Sequence, residues 1–102
     1  MNMKEVILSA DGDSVIYAVP DAVADDLEKY CMEFCCNWLH KSPDASKYRT
    51  GNTVSYTEND FIEYLNKYIF PDERSFFIKN IGWTNLGENM PEQYKCYPYF
   101  NF

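Results

Sequence analysis

A stripe of apolar side chains between residues 21 and 41 constrains the fold of this chain more than any other feature of its sequence. Its side chains recur at steps of three and four residues, the spacing of one face of an α-helix. The members of the stripe are Val23, Leu27, Tyr30, Cys31, Phe34 and Trp38. Pro20-Asp21 favours a helix start, because proline fits the first turn and an acid meets the positive end of the helix dipole. Since Ser42-Pro43 stops a helix, the sequence predicts a first helix at about 21–41 with one face buried.

Two short runs before this helix predict a β-hairpin at about 4–19. Both runs, 4–9 and 14–19, are rich in β-branched residues, and Ala10-Asp11-Gly12-Asp13 separates them. An Asp-Gly pair can adopt the positive backbone φ angles that a tight hairpin turn requires. We therefore expect the two runs to pair as antiparallel strands.

The middle of the chain indicates a second hairpin and a second helix. Gly51-Asn52 is a hairpin-turn pair, and it allows a second short hairpin at about 47–56. Thr57 followed by Asp60 resembles a capping box, with Asp in place of the usual Glu or Gln. Apolar residues then recur at helical spacing, which predicts a helix at about 58–70 that ends before a proline. Residues 72–82 fit either a short helix or a buried strand, and we prefer the helix.

Together these elements predict a two-layer α+β fold. The first hairpin, with the second one if it forms, would make an antiparallel sheet, and the two helices would cover one face of it. A length of 102 residues with 46% hydrophobic residues suits a single domain over residues 1–102. No apolar run approaches the roughly 18 residues of a membrane span, and the N-terminus lacks the apolar region of a signal peptide. We expect a cytoplasmic protein without a membrane partner.

Three of the four cysteines and the only histidine fall in one ten-residue stretch of the predicted first helix. On a helical wheel Cys31 lies on the apolar stripe and Cys35 at its flank, whereas Cys36 and His40 share the opposite face. Neighbouring Cys35 and Cys36 should point to different sides, so we expect no disulfide between them. A zinc site needs more ligands than two. We favour reduced structural thiols with no metal, cofactor or catalytic residue, and a site at Cys36, His40 and Cys96 is the alternative.

The chain is acidic, and its charge is uneven. Sixteen acids and nine bases give a formal net charge of −7. Because phosphate neutralisation drives binding to nucleic acids and anionic membranes, this balance disfavours both and favours a basic protein partner. The acids that would contact such a partner are Asp21, Asp25, Asp26, Glu28 and Glu33 on the first helix, and Glu58, Asp60 and Glu63 on the second. The alternative is that the acidity only maintains solubility.

One loop of the chain is basic. It carries Lys41, Lys47, Tyr48 and Arg49. Such a loop could hold a phosphate or an acidic peptide. Ion pairing with the acidic helices of the same molecule is the simpler interpretation, and we prefer it.

The sequence contains no motif typical of catalysis or of phosphate binding, since neither a Gly-x-Ser-x-Gly elbow nor a Gly-rich phosphate loop occurs. We predict a non-enzymatic protein that binds, and inhibits or neutralises, a basic protein partner, with a homodimer also compatible with the sequence. In size and charge, although in no motif, the chain resembles toxin-immunity proteins and phage-encoded inhibitors of nucleic-acid-guided nucleases, including nucleic-acid mimics. The alternative is a small metal- or ligand-binding regulatory domain, or a thiol enzyme, built on the cysteine-bearing helix.

Overall fold

The computed structural model describes residues 2–10, 12–51, 53–83 and 92–102. A four-stranded sheet forms one layer and two main helices form the other, which confirms the predicted two-layer α+β fold. Among the helices of these ranges, none is both long enough and apolar enough to cross a bilayer.

The predicted N-terminal hairpin forms the centre of the sheet. Strands β1 (Met3–Ser9) and β2 (Ser14–Pro20) pair antiparallel, from Met3 opposite Pro20 to Leu8 opposite Val15. Every residue of β2 is buried, because the strand has a neighbour on each side and packed residues on both faces. The side chains that face the helices are Val6, Leu8, Val15, Tyr17 and Val19.

The second hairpin forms at the expected place but stands apart from the main sheet. Strands β3 (Arg49–Thr50) and β4 (Thr53–Val54) pair antiparallel in a separate two-stranded ribbon. Gly51 lies in the turn between them with a φ of 62°, a left-handed conformation that glycine adopts without steric cost. A 3₁₀ helix at Pro43–Tyr48 precedes this ribbon.

The outer strands of the main sheet come from segments outside the two predicted hairpins. Strand β5 (Phe76–Gly82) pairs antiparallel with β2, and β6 (Tyr99–Asn101) pairs parallel with β1. The order is β5-β2-β1-β6, so the sheet is mixed and not purely antiparallel. The preference for a helix at 72–82 was wrong, and the strand found there is exposed, not buried. Aromatic and β-branched residues fit a pleated strand well, which explains the outcome.

The first helix covers the predicted stretch with one interruption. Asp21–Asp25 is α-helical, and the backbone of Asp26 then leaves the helical region with φ −140° and ψ 43°. We call the remainder, residues 27–41, the cysteine helix. Its three segments are α-helical Leu27–Met32, π-helical Glu33–Trp38 and α-helical Leu39–Lys41.

The second helix also matches the prediction, and it ends in a π-helical segment. It is α-helical over Glu58–Tyr64 and π-helical over Leu65–Ile69. The predicted capping box is present: the Asp60 carboxylate accepts a hydrogen bond of 2.8 Å from the backbone N–H of Thr57. This contact satisfies a backbone donor that the helix start would otherwise leave without a partner.

An aromatic cluster around Phe34 joins the two layers. Phe34 lies on the cysteine helix and is fully buried. Five ring centroids lie between 5.1 and 6.0 Å from its own. These rings belong to Trp38, Tyr56, Phe61, Tyr64 and Phe102. Because Phe102 directly follows β6, the cluster also anchors the last strand of the sheet.

A smaller cluster covers the face of the sheet that points away from the helices. Ile7 and Ile16 are buried there by Ile81 from β5 and by Tyr94 and Tyr97. The two tyrosines come from the segment that starts with a 3₁₀ turn at residues 92–94. The sheet is therefore packed on both faces near its centre.

Candidate functional site

The structure separates most of the thiols that lie close together in the sequence. Cys31 is buried in the main core, Cys35 is half-buried, and Cys36 and Cys96 are exposed. His40 is also exposed. All four cysteines are free. In the part of the chain that the structure describes, no group of three or more His, Cys, Asp or Glu side chains could hold a metal ion.

Cys35 and Cys36 lie closer together than a regular helix would place them. Their Sγ atoms are 3.6 Å apart, although successive side chains of an α-helix point about 100° apart. The expectation that they point to different sides was therefore wrong. Both belong to the π-helical segment, whose wider turn rotates each residue by less. Burial and the contact with Cys36 raise the pKa of the Cys35 thiol to about 11, so this thiol is protonated and unreactive near neutral pH.

Two of the five acids predicted as partner contacts on the first helix form ion pairs within the molecule. The Asp25 carboxylate lies 2.7 Å from the ammonium of Lys4, and that of Asp26 lies 4.0 Å from Lys29. All four side chains remain largely exposed, so these pairs add little stability. The other three acids are Asp21, partly buried at the helix start, and the exposed Glu28 and Glu33.

Glu58 and Asp60, at the start of the second helix, lie close to the sheet. Burial, with a further contribution from these two carboxylates, raises the pKa of Tyr17 on β2 to about 12. The Tyr17 ring packs edge to face against Phe77 of β5, with centroids 6.2 Å apart. The two acids therefore lie on the helix-covered side of the sheet, the side on which Tyr17 and Phe77 pack together.

Strand β5 exposes large apolar side chains on both of its faces, because successive residues such as Phe76 and Phe77 point to opposite sides of the sheet. Phe76 is 53% exposed, Phe77 59% and Ile78 40%, and Trp83, directly after the strand, is 72% exposed. We call these four residues the β5 surface. No strand within the described ranges pairs with the outer edge of β5. This surface combines exposed apolar area with an edge that can accept another chain.

The β5 strand is also bent by two bulges. Its pairing with β2 runs from Tyr17 opposite Phe77 to Ile16 opposite Lys79, so Ile78 has no partner, and a second shift passes over Ile81. Such bulges disfavour indiscriminate pairing at a sheet edge. The apolar side chains are therefore the main source of attraction on this surface.

A second candidate site is an open cleft beside the π-helical segments. It consists of two adjoining cavities of about 210 and 560 Å³, which share Lys47, Glu63 and Lys67. We call it the aromatic cleft. The smaller cavity is also lined by Trp38, Asp44, Tyr48, Tyr64 and Tyr68, and the larger by Asn66 and Arg74. Glu63, the last of the predicted contact acids, thus lies among cations.

Sequence reasoning predicted neither candidate site as a whole, although each left a signal in the sequence. The run Phe76-Phe77-Ile78 is continuously apolar, a pattern that is consistent with a strand but indicates burial and not the exposure found here. For the cleft, the sequence singled out Lys47 and Tyr48 in the basic loop and Glu63 on the second helix, but it did not indicate that they face one another.

Comparisons of the chain with protein-family models, with curated proteins and with solved structures found no match. The two sites are therefore interpreted from their own geometry and charge.

Proposed function

We propose that this protein is a non-enzymatic interaction protein that binds a basic protein partner at the β5 surface. The observation that supports the proposal is the exposure of Phe76, Phe77 and Ile78 along an outer strand and of Trp83 directly after it. Clustered apolar exposure is typical of protein interfaces, where large aromatic side chains contribute most of the binding energy.

The charge around the surface indicates the chemistry of the partner. The chain has a net charge of −7, and Glu58 and Asp60 lie on the same side of the sheet as Phe77. A segment with Lys or Arg beside apolar residues would satisfy both features. Charge would speed the encounter and select the partner, and the apolar contacts would hold the complex together. The further acids proposed to contact the same partner are Asp21, Asp25, Asp26, Glu28, Glu33 and Glu63.

Binding of this kind would inhibit the partner by covering its basic surface. If that surface normally holds nucleic acid, the acidic protein would compete with it for the same cations. We place this activity in the cytoplasm, where four free thiols are stable.

A short peptide of alternating Lys and Val tests the proposal. In an extended conformation it presents one cationic and one apolar face, because successive side chains of a strand alternate. We expect saturable binding in a fluorescence anisotropy titration, and the affinity should fall as salt screens the charges.

Variants then identify the surface. Phe76→Ser and Trp83→Ser should each weaken peptide binding by about tenfold or more, as expected for an aromatic hot spot. Tyr99→Ser is the matched control, because Tyr99 is 47% exposed on β6, at the opposite edge of the sheet. Glu58→Lys should weaken binding mainly at low salt.

Two results would overturn the proposal. Binding that is equally strong in Phe76→Ser, Trp83→Ser and the control would show that the peptide does not use the β5 surface. A stable dimer in analytical ultracentrifugation that Phe76→Ser dissociates would show that the surface joins two copies of this chain.

A further inference from the structure

The aromatic cleft carries a second proposal, which does not depend on the β5 surface. Its walls include both π-helical segments, since Trp38 lies in Glu33–Trp38 and Tyr68 in Leu65–Ile69. The two rings are 5.2 Å apart. π-helical turns are rare in proteins, and those that do occur are frequently found at functional sites. The larger cavity, of about 560 Å³, also falls within the size range of small-molecule pockets.

Three cations line the cleft without a close carboxylate partner. Lys47 and Lys67 hold their ammonium groups 5.0 and 5.4 Å from the ring centroids of Tyr48 and Tyr68. Arg74 lines the far end. Over the described ranges, no ion pair within 4.0 Å joins any of the three to an acid. The sequence suggested that this basic loop forms ion pairs with the acidic helices. Lys47 therefore forms no such pair with an acid of the described ranges.

The polar groups follow an order along the cleft. Asp44 lines only the aromatic end, Glu63 and the two lysines line both cavities, and Arg74 lines only the larger cavity. A ligand that complements this order has a flat ring with N–H donors at the end lined by Asp44, hydroxyl groups beside Glu63, and an anion at the end lined by Arg74.

The residue that follows Arg74, Ser75, is hydrogen-bonded to the second helix. The Asn66 side chain donates a hydrogen bond of 2.9 Å to the carbonyl oxygen of Ser75 and accepts one of 2.6 Å from its N–H. This pair of bonds fixes the start of β5 against the second helix. The backbone next to Arg74 is thereby held beside the second helix, on which Lys67 lies.

We propose that the aromatic cleft binds a nucleoside monophosphate. The base packs against Trp38 and Tyr68, because every base offers a flat face that stacks on aromatic rings. The ribose hydroxyls donate to Glu63, and the phosphate accepts from Lys67 and Arg74, whose charged donors suit phosphate oxygens. A free nucleotide fits better than a nucleic acid, because the net charge of −7 repels a long chain of phosphates.

Nuclear magnetic resonance of the ¹⁵N-labelled protein provides the test. The chain has two tryptophans, and each indole N–H gives one signal. Adenosine monophosphate should shift the Trp38 signal saturably and leave that of Trp83 in place, because Trp83 follows the opposite end of β5 from Arg74. Trp83→Phe assigns the two signals.

Matched variants distinguish the contributions of charge and of ring stacking to the affinity for adenosine monophosphate. Arg74→Gln and Lys67→Gln should each weaken the binding of adenosine monophosphate by about tenfold, the effect of losing one charge-assisted hydrogen bond. Tyr68→Leu, which removes the ring and keeps apolar volume, should weaken it by about fivefold or more. Lys79→Gln removes the same charge from β5 outside the cleft and should have no effect.

Fragments of the nucleotide test whether both of its halves contribute to binding. Adenosine and inorganic phosphate should each bind more weakly than adenosine monophosphate, because each lacks one half of the ligand. The proposal is overturned if none of the four common nucleoside monophosphates gives a saturable shift at about 5 mM, a concentration that would reveal even millimolar affinity. Equal affinity for phosphate alone, or an equal loss in Lys79→Gln and Arg74→Gln, would also overturn it.

Discussion

Replacing Phe34 should destabilise this protein more than replacing any exposed aromatic residue. Phe34 is fully buried, and five aromatic rings surround it. A buried Phe→Ala substitution costs about 3–5 kcal/mol, and a favourable ring pair contributes about 0.5–1.5 kcal/mol beyond its buried area. We therefore expect Phe34→Ala to cost about 5 kcal/mol. A domain of this size has only about 5–15 kcal/mol of stability, so this variant is close to unfolded.

Phe34→Leu makes the measurement possible even if Phe34→Ala does not fold. Leucine keeps most of the apolar volume and loses the ring contacts, so we expect a cost of about 1.5–3 kcal/mol. The free energy of unfolding is measured by urea denaturation, followed by circular dichroism, with the slope compared among variants.

The matched control is Phe76→Ala on β5. Phe76 is 53% exposed, and the same change there should cost about 1 kcal/mol or less. If the substitutions at Phe34 and Phe76 lower the free energy of unfolding equally, Phe34 is not the centre of the core and the packing described above is incorrect.

Three further predictions follow from single side chains. A thiol reagent should modify Cys36 and Cys96 in the native protein, whereas Cys31 should react only on unfolding, because burial removes access and raises its pKa; rapid native reaction of Cys31 would contradict its burial. The pKa of Tyr17 is raised to about 12 in the folded state, against about 10 in an unfolded chain, so stability should fall between about pH 10 and 12 by up to about 2–3 kcal/mol. In urea titrations at about pH 10 and pH 12, the free energy of unfolding should fall less for Tyr17→Phe than for the unchanged protein. Equal falls would refute the raised pKa of Tyr17. Asp60→Ala should cost about 1 kcal/mol in the same titration near neutral pH, because it removes one half of the capping box, and an unchanged midpoint would show that this cap adds nothing.

Elements with a clear periodicity could be predicted from the sequence, and elements defined by their partners could not. The apolar stripe from Val23 to Trp38 and the pair Thr57 and Asp60 located both helices, because those signals are local. Tyr99–Asn101 is only three residues long, and its strand conformation depends on pairing with β1 at the other end of the chain. No local pattern contains that information.

The contact between Cys35 and Cys36 and the grouping of cations in the aromatic cleft also could not be predicted from local patterns. A helical wheel with a regular 3.6-residue turn separates Cys35 from Cys36, and nothing in the sequence announces the π-helical turn that brings them together. In the cleft, Lys47 comes from the 3₁₀ helix, Lys67 from the second helix and Arg74 from the connection between that helix and β5. Only the tertiary packing brings these cations to one place.

The parallel pairing of β6 with β1 determines the order in which the sheet can assemble. The β1–β2 hairpin joins neighbours and can close within microseconds, whereas Ile7 pairs with Tyr99, about 90 residues later. Closing so long a loop costs about 4 kcal/mol of chain entropy. That cost is recovered only when Phe102 reaches the rings around Phe34. The last strand therefore docks late in folding, and its release would expose the aromatic core and the edge of β1 together, so its retention protects the protein from aggregation.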